Sequence, residues 1–141
     1  MYSGDNLLYI LTMLEAIEKV RKYTESFQSA EEFFDADDQL YFHATTNLLL
    51  AIGEESKKLE KDLKNEFLAI PWNAMAGMRN RLAHDYRGVD FYMVFSVASN
   101  DILDLKQVLI QMLESIDFDP KELKAALDSD FYRHLAYLRD H

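Results

Sequence analysis

The eleven residues from Met78 to Gly88, MRNRLAHDYRG, hold three arginines and a histidine. They sit in a chain with 25 Asp+Glu against 15 Lys+Arg and a net charge of −10. Within the stretch, Arg79, Arg81 and Arg87 face only Asp85, a local charge of +2 that leaves −12 on the rest. A guanidinium binds phosphate bidentately and stabilises charge developing on it. An imidazole gives or takes a proton near neutral pH, a contribution of about 10²–10⁴-fold in rate. Both groups suit RNA cleavage. In that reaction the ribose 2′-hydroxyl attacks the adjacent phosphorus and a cyclic phosphate forms, with no need of a metal. DNA lacks the hydroxyl and is inert to this chemistry.

Spacing sets a condition on this chemistry. Arg79 and His84 are five residues apart, about 140° around an ideal helix, so they do not share a face. They converge only if the helix distorts at its end, or if a dimer axis brings two copies together. The helix C-terminus favours the imidazolium, which suits a general acid. Arg-x₄-His also arises by chance: Arg79 could equally pair with a carboxylate of another helix, and His84 could cap carbonyls. Taken alone, Tyr86 reads as a buried aromatic at a helix end.

No Gly-rich phosphate loop, zinc pattern or nucleophile elbow is present, and neither cofactor nor metal is expected. His43, His84, His134 and His141 are too dispersed to suggest ligands. His43 reads as a packed or surface residue, and His134 and His141 as incidental. Asp37 and Asp38 read as helix caps. Glu54 and Glu55 could be ordinary surface groups, and no carboxylate pair stands out as catalytic.

The elements that must position these residues are helical. Four Gly and two Pro in 141 residues favour long helices. Ile10, Leu14, Ile17 and Val20 mark a first helix from Asn6 to Ser26, with Asp5 as its N-cap. Ser29-Ala30-Glu31-Glu32 fits a capping box opening a short turn. A second long helix spans Asp38 to Asn65, with Leu48, Leu49, Ile52, Leu59 and Leu63 inward and mixed charges from Lys57 to Asp62 on a solvated face. Pro71 opens a third helix, Trp72 to Asp85, that ends near Gly88. A fourth runs from Asp90 to Ser115 on Val94, Val97, Ile102, Leu105, Val108, Leu109 and Met112. Asp119-Pro120 then caps one or two short C-terminal helices within 116–141. No run alternates as a strand would. The expectation is an all-α, up-and-down bundle of four to five main helices in a single domain, 1–141. Its aromatics and methionines read as core and dimer contacts.

Composition excludes several roles. Without cysteine there is no disulfide, thiolate metal site or Cys nucleophile, which suits the cytoplasm. The apolar N-terminus lacks a basic n-region and carries Asp5, Glu15 and Glu18, so it reads as neither signal peptide nor membrane span. Net acidity argues against nucleic-acid binding by the whole surface, and leaves only a locally basic place for it.

PWNAMAGMRNRLAHDYRGVD resembles the signature of HEPN-domain proteins of the HepT-like family, RX₄HXY, with Arg79, His84 and Tyr86 at its named positions. IGEESKKLEKDLKN, LLYILTMLEAIEKV and VDFYMVFSVASNDILDLKQVLIQML resemble the other helices, so the likeness covers about Asn6 to Leu113; the tail from Asp117 matches nothing. The resemblance implies a homodimeric helical bundle whose motif helices meet at a cleft. It implies a metal-independent ribonuclease, the toxin of a type VII toxin–antitoxin pair. Arg79 and His84 would carry the chemistry, Asn80 would hold substrate or orient the histidine, and Arg81 and Arg87 would add phosphate contacts. The partner would be MntA, a minimal nucleotidyltransferase that silences the toxin by transferring AMP from ATP to Tyr86. Transfer RNA is the expected substrate on family grounds. The competing expectation is a noncatalytic helical adaptor docked on such a transferase.

Overall fold

A computed structural model describes residues 1–140 of the chain, so His141 lies outside the described residues. The architecture is an all-α helical bundle. Helix α1 runs Asn6–Thr24, α2 Ala30–Lys58, α3 Lys61–Asn65 and α4 Trp72–His84. A 3₁₀ turn at Tyr86–Gly88 leads into α5, Phe91–Ser96, a π turn at Val97–Asp101 and α6, Ile102–Leu113. Helix α7, Pro120–Leu127, and 3₁₀ turns at Asp130–Tyr132 and Ala136–Asp140 close the chain. Two very short strands, β1 at Tyr2–Ser3 and β2 at Ile116–Asp117, pair in parallel and tie the start of the bundle to the end of α6.

The inward face of α1 follows its helical period: Ile10, Leu14, Ile17 and Val20 are fully buried. They pack against Phe33, Leu49 and Ile52 of α2 and Leu109 and Met112 of α6. Asp5 does not cap α1 with its side chain. Its own backbone N–H donates to Ser3 Oγ at 3.1 Å, and Leu7 N–H reaches Gly4 O at 3.0 Å, so the chain enters the helix through a turn. The capping at Ser29 forms, its Oγ accepting from Glu32 N–H at 3.1 Å. Asp119 and Pro120 also open α7 as expected, with Asp119 Oδ1 accepting from Lys121 N–H at 2.9 Å.

Helix α2 keeps the expected boundary between a short first turn and a long helix. It begins at Ala30 and breaks at Asp37, Asp38 and Gln39, whose φ values are 47°, 56° and 67°. Asp37 and Asp38 therefore build a left-handed turn and are not simple caps; a short polar side chain tolerates that conformation better than most. The turn folds α2 back on itself. Phe33 and Phe34, before it, meet Phe42, after it, at ring-centroid distances of 6.2 and 4.9 Å. In a straight helix residues 34 and 42 would be about 12 Å apart along the axis. Phe91 stacks on Phe34 at 4.5 Å, and the Tyr92 hydroxyl donates to Glu31, so α5 clasps the folded-back segment.

The expected second helix also ends early. It stops at Lys58, and α3 starts afresh at Lys61. The buried Asn6 side chain marks the break, its Oδ1 accepting from Glu60 N–H at 2.9 Å. Further on, Val94, Ala98 and Ile102 are buried at four-residue steps. Each such step overshoots an α-helical face by about 40°, and the wider i→i+5 turn at Val97–Asp101 absorbs the drift. Val97, within that turn, and Val108, in α6, are only half-buried.

His134 is not incidental. Glu15, 1 % exposed in the middle of α1, accepts from the His134 backbone N–H at 2.9 Å and faces its Nδ1 at 2.6 Å. Nearby, the Tyr137 hydroxyl donates to Glu18 at 3.3 Å, and burial beside that carboxylate pushes the phenol well above its ordinary value. Lys106 pairs with Glu18 at 2.9 Å. Polar contacts thus moor the C-terminal segment to α1. Replacing His134 with Ala is expected to cost about 1–3 kcal/mol by leaving the buried carboxylate short of a partner. The test is urea unfolding, where the midpoint should fall with an unchanged slope; an unmoved midpoint would refute the mooring.

Candidate active site

Helix α4 lies antiparallel along the second half of α2, and one stripe of each helix makes the seam. On α4 and the turn beyond it, the stripe is Arg79, Leu82 and Tyr86. On α2 it is Glu54, Gly53, Leu50, Thr46 and His43. The two ends of the seam hold the motif's arginine and tyrosine.

At the first end, Gly53 leaves room for the arginine. A Cβ there would lie 2.6 Å from Arg79 Cβ and 3.0 Å from its Cγ. The arginine stem lies flat on α2, and its Nε pairs with Glu54 Oε1, both atoms being shut off from solvent. Arg79 Nη1 donates to Asn80 Oδ1 at 3.0 Å. Two edges of the guanidinium are therefore held, while among the described residues Nη2 and the second Nη1 hydrogen have no hydrogen-bond acceptor. Pairing with a carboxylate of another helix, left open by the sequence, does occur, and it orients the arginine. Glu54, a candidate for the ordinary surface, is its partner.

At the other end, the Tyr86 hydroxyl contacts His43 Nδ1 and lies 3.0 Å from Thr46 Oγ1. The two rings stack at 5.6 Å and 26°. Tyr86 is 40 % exposed, so it is a rim residue and not a buried aromatic. His43 is at the surface, as read, but is engaged there.

His84, the last residue of α4, is exposed and makes no side-chain hydrogen bond among the described residues. It does not lie on the α2-facing stripe, in keeping with the angular separation from Arg79. Asn80, Arg81 and Arg87 are exposed as well. Gly88 has no positive φ. It matters for space: a Cβ would come within 2.7 Å of Asp85 Oδ2 in the tight turn after α4. Among the described residues no group of three or more His, Asp and Glu could hold a metal ion. None of their helices is long and apolar enough to cross a membrane.

A family model described as ribonuclease HepT-like matches residues 13–112, the whole seam included. The chain belongs to the HepT-like ribonuclease family. Relatives of this HepT-like chain include "Probable ribonuclease HepT" of Thermococcus cleftensis, 37% identical over 98 residues, which are 70% of this chain and 86% of the relative. Another is "Putative RNase MJ1216" of Methanocaldococcus jannaschii, 29% identical over 117 residues, covering 83% and 94%. No solved structure gives a significant match. The family supports ribonuclease activity in general terms.

His43, Thr46, Gly53 and Glu54 were hidden in the sequence, although a signal was there. They recur on one side of α2 at helical steps, and a lone glycine inside a helix often marks close packing. A Gly→Ala change in a helix ordinarily gains about 0.5–1 kcal/mol. At Gly53 the clash with Arg79 reverses the sign, and the variant is expected to lose about 1–3 kcal/mol. Equilibrium denaturation decides: a more stable Gly53→Ala protein would disprove the close approach.

Proposed function

We propose that this chain is a metal-independent endoribonuclease toxin, regulated by adenylylation of Tyr86. The observation that carries the first part is the Arg79 guanidinium, paired with Glu54 and Asn80 and with its other donors unpartnered among the described residues, on the same helix as an exposed His84. Arg79 binds the scissile phosphate and stabilises its developing charge. The ribose 2′-hydroxyl attacks phosphorus, the 5′-oxygen leaves, and His84 transfers a proton. Because the two residues stand about 140° apart on α4, a homodimer that brings two motif helices together is the arrangement that gathers them. Asn80 orients the arginine, and Arg81 and Arg87 add phosphate contacts. The whole molecule is acidic, so RNA affinity comes from this local field and from unpaired bases. Transfer RNA is the substrate to test first.

The second part rests on the exposure of Tyr86 at the rim. A cognate MntA-type nucleotidyltransferase, the antitoxin, transfers AMP from ATP to its hydroxyl. Each AMP adds bulk and a phosphodiester charge, and both oppose RNA at a small basic site.

Purified protein incubated with cellular RNA in EDTA should cleave it, and transfer RNA foremost. Arg79→Ala and His84→Ala should each lose about 10²-fold or more in rate with an unchanged helical CD spectrum. Undiminished cleavage by either variant removes that residue from the mechanism. Absence of cleavage by the wild-type chain, together with a stable transferase complex, would leave the noncatalytic adaptor.

Intact mass supplies a separate check on Tyr86. Co-incubation with the transferase and ATP should raise the mass by whole AMP units and silence cleavage. A Tyr86→Phe chain that gains the same mass would show that the acceptor lies elsewhere.

A further inference from the structure

We infer that His43 is the built-in proton acceptor for group transfer onto the Tyr86 hydroxyl. The inference rests on Tyr86 being the adenylyl acceptor, and adds what prepares that oxygen to attack.

A phenol at neutral pH is protonated and a poor nucleophile, so its transfer chemistry needs a base within reach. His43 Nδ1 contacts the Tyr86 hydroxyl directly, and the stacked rings fix that geometry. Hydrogen counting limits the roles these groups can take. Thr46 has one hydroxyl hydrogen, and it goes to the His43 carbonyl oxygen at 2.9 Å. Towards Tyr86, at 3.0 Å, Thr46 Oγ1 therefore presents lone pairs. The single phenol hydrogen is directed either to Thr46 or to His43 Nδ1. Only the imidazole can keep it, because a neutral ring protonated at Nε2 offers Nδ1 as a base. Thr46 can then rotate its own hydrogen onto the phenolate and hold the oxygen in place.

The surroundings leave the reaction open from one side. Tyr86 and His43 are both exposed, so the oxygen is reachable by a second protein and the ring can pass its proton to water. A groove beside them, lined by His43, Thr46, Asn47, Leu50, Leu82 and Tyr86, offers an apolar floor and an amide edge to a nucleotide. In the transfer the bond from Tyr86 oxygen to the α-phosphorus of a nucleoside triphosphate forms as the α-phosphorus to β-bridging oxygen bond breaks. Pyrophosphate leaves with that electron pair, and the phenol proton goes to His43 Nδ1. No oxidant or reductant is involved.

The experiment uses the full chain, the cognate nucleotidyltransferase and ATP, with AMP on Tyr86 followed by peptide mass spectrometry. His43→Asn places an amide where Nδ1 was, keeping a hydrogen bond but no base. Its kcat for adenylylation should fall by about 10²-fold with the KM for this chain little changed. His43→Ala should be equally slow and should recover in part when imidazole is added, while Tyr86→Phe should not; CD confirms folding of each. Adenylylation of Tyr86 in His43→Asn at the wild-type kcat overturns the inference and leaves Tyr86 as the acceptor. A loss confined to KM also overturns it, since His43 would then serve only docking. Wild-type chain that carries no AMP on Tyr86 overturns the Tyr86 reading itself, and this inference with it.

Discussion

The close approach of α4 to α2 is the constraint on which the site depends. It exists because residue 53 has no side chain. The arginine stem lies in the space a Cβ would fill, within 2.6 Å of the ideal position. With the backbones this near, Glu54 meets the guanidinium and, farther along, Thr46 and His43 meet the tyrosine. One packing distance thus sets both ends of the motif. Two helices at an ordinary separation would leave Arg79 as a freely rotating surface side chain and Tyr86 without partners. An arginine already oriented loses less entropy when it takes up a phosphate.

Electrostatics adds a second layer. Glu54 removes part of the positive charge that the motif would otherwise show to solvent, which is at first sight poor design for a phosphate site. Its compensation is geometric: an ion pair through Nε leaves the guanidinium's outer donors pointing away from the carboxylate. The surrounding acidity discourages indiscriminate attachment to polyanions, since a duplex backbone meets mostly like charge. The locally basic stretch Met78–Gly88 lies at the end of α4 and in the turn after it. The tail beyond α6 stands apart from this chemistry, and its buried Glu15–His134 contact belongs to the stability of the bundle.

Local features were the legible ones. The α1 stripe, the Ser29 capping and the Asp119-Pro120 start of α7 depend on residues within a turn or two of each other, and the pattern carries them. The motif was also readable, and an ideal helix would set its Arg79 and His84 about 140° apart. The boundary near Asp38 was legible too, but its left-handed backbone was not, because its three residues include no glycine and the acidic run looks like ordinary capping. The stop at Lys58 was concealed by a mixed-charge run that continues the helical pattern across it, and the side chain that seals the gap, Asn6, comes from 54 residues earlier. Glu15 and His134 are separated by 119 residues. The partnerships of Glu54 with Arg79 and of His43 with Tyr86 need the register of two helices, which no single helix's periodicity contains.

The left-handed turn at Asp37–Gln39 has a bearing on how this chain can vary. It lies ahead of His43, so the helical segment from Leu40 to Lys58 acts as one rigid ruler carrying every α2 residue of the site. Length changes ahead of Leu40 alter where the folded-back aromatic segment lands and leave the ruler's markings aligned. A single residue inserted between Thr46 and Gly53 is different, because it would turn one end of the seam by about 100° against the other. Insertions ahead of that turn therefore spare the register of the site while disturbing the packing of the buried Phe33, whereas insertions beyond it misalign the site itself.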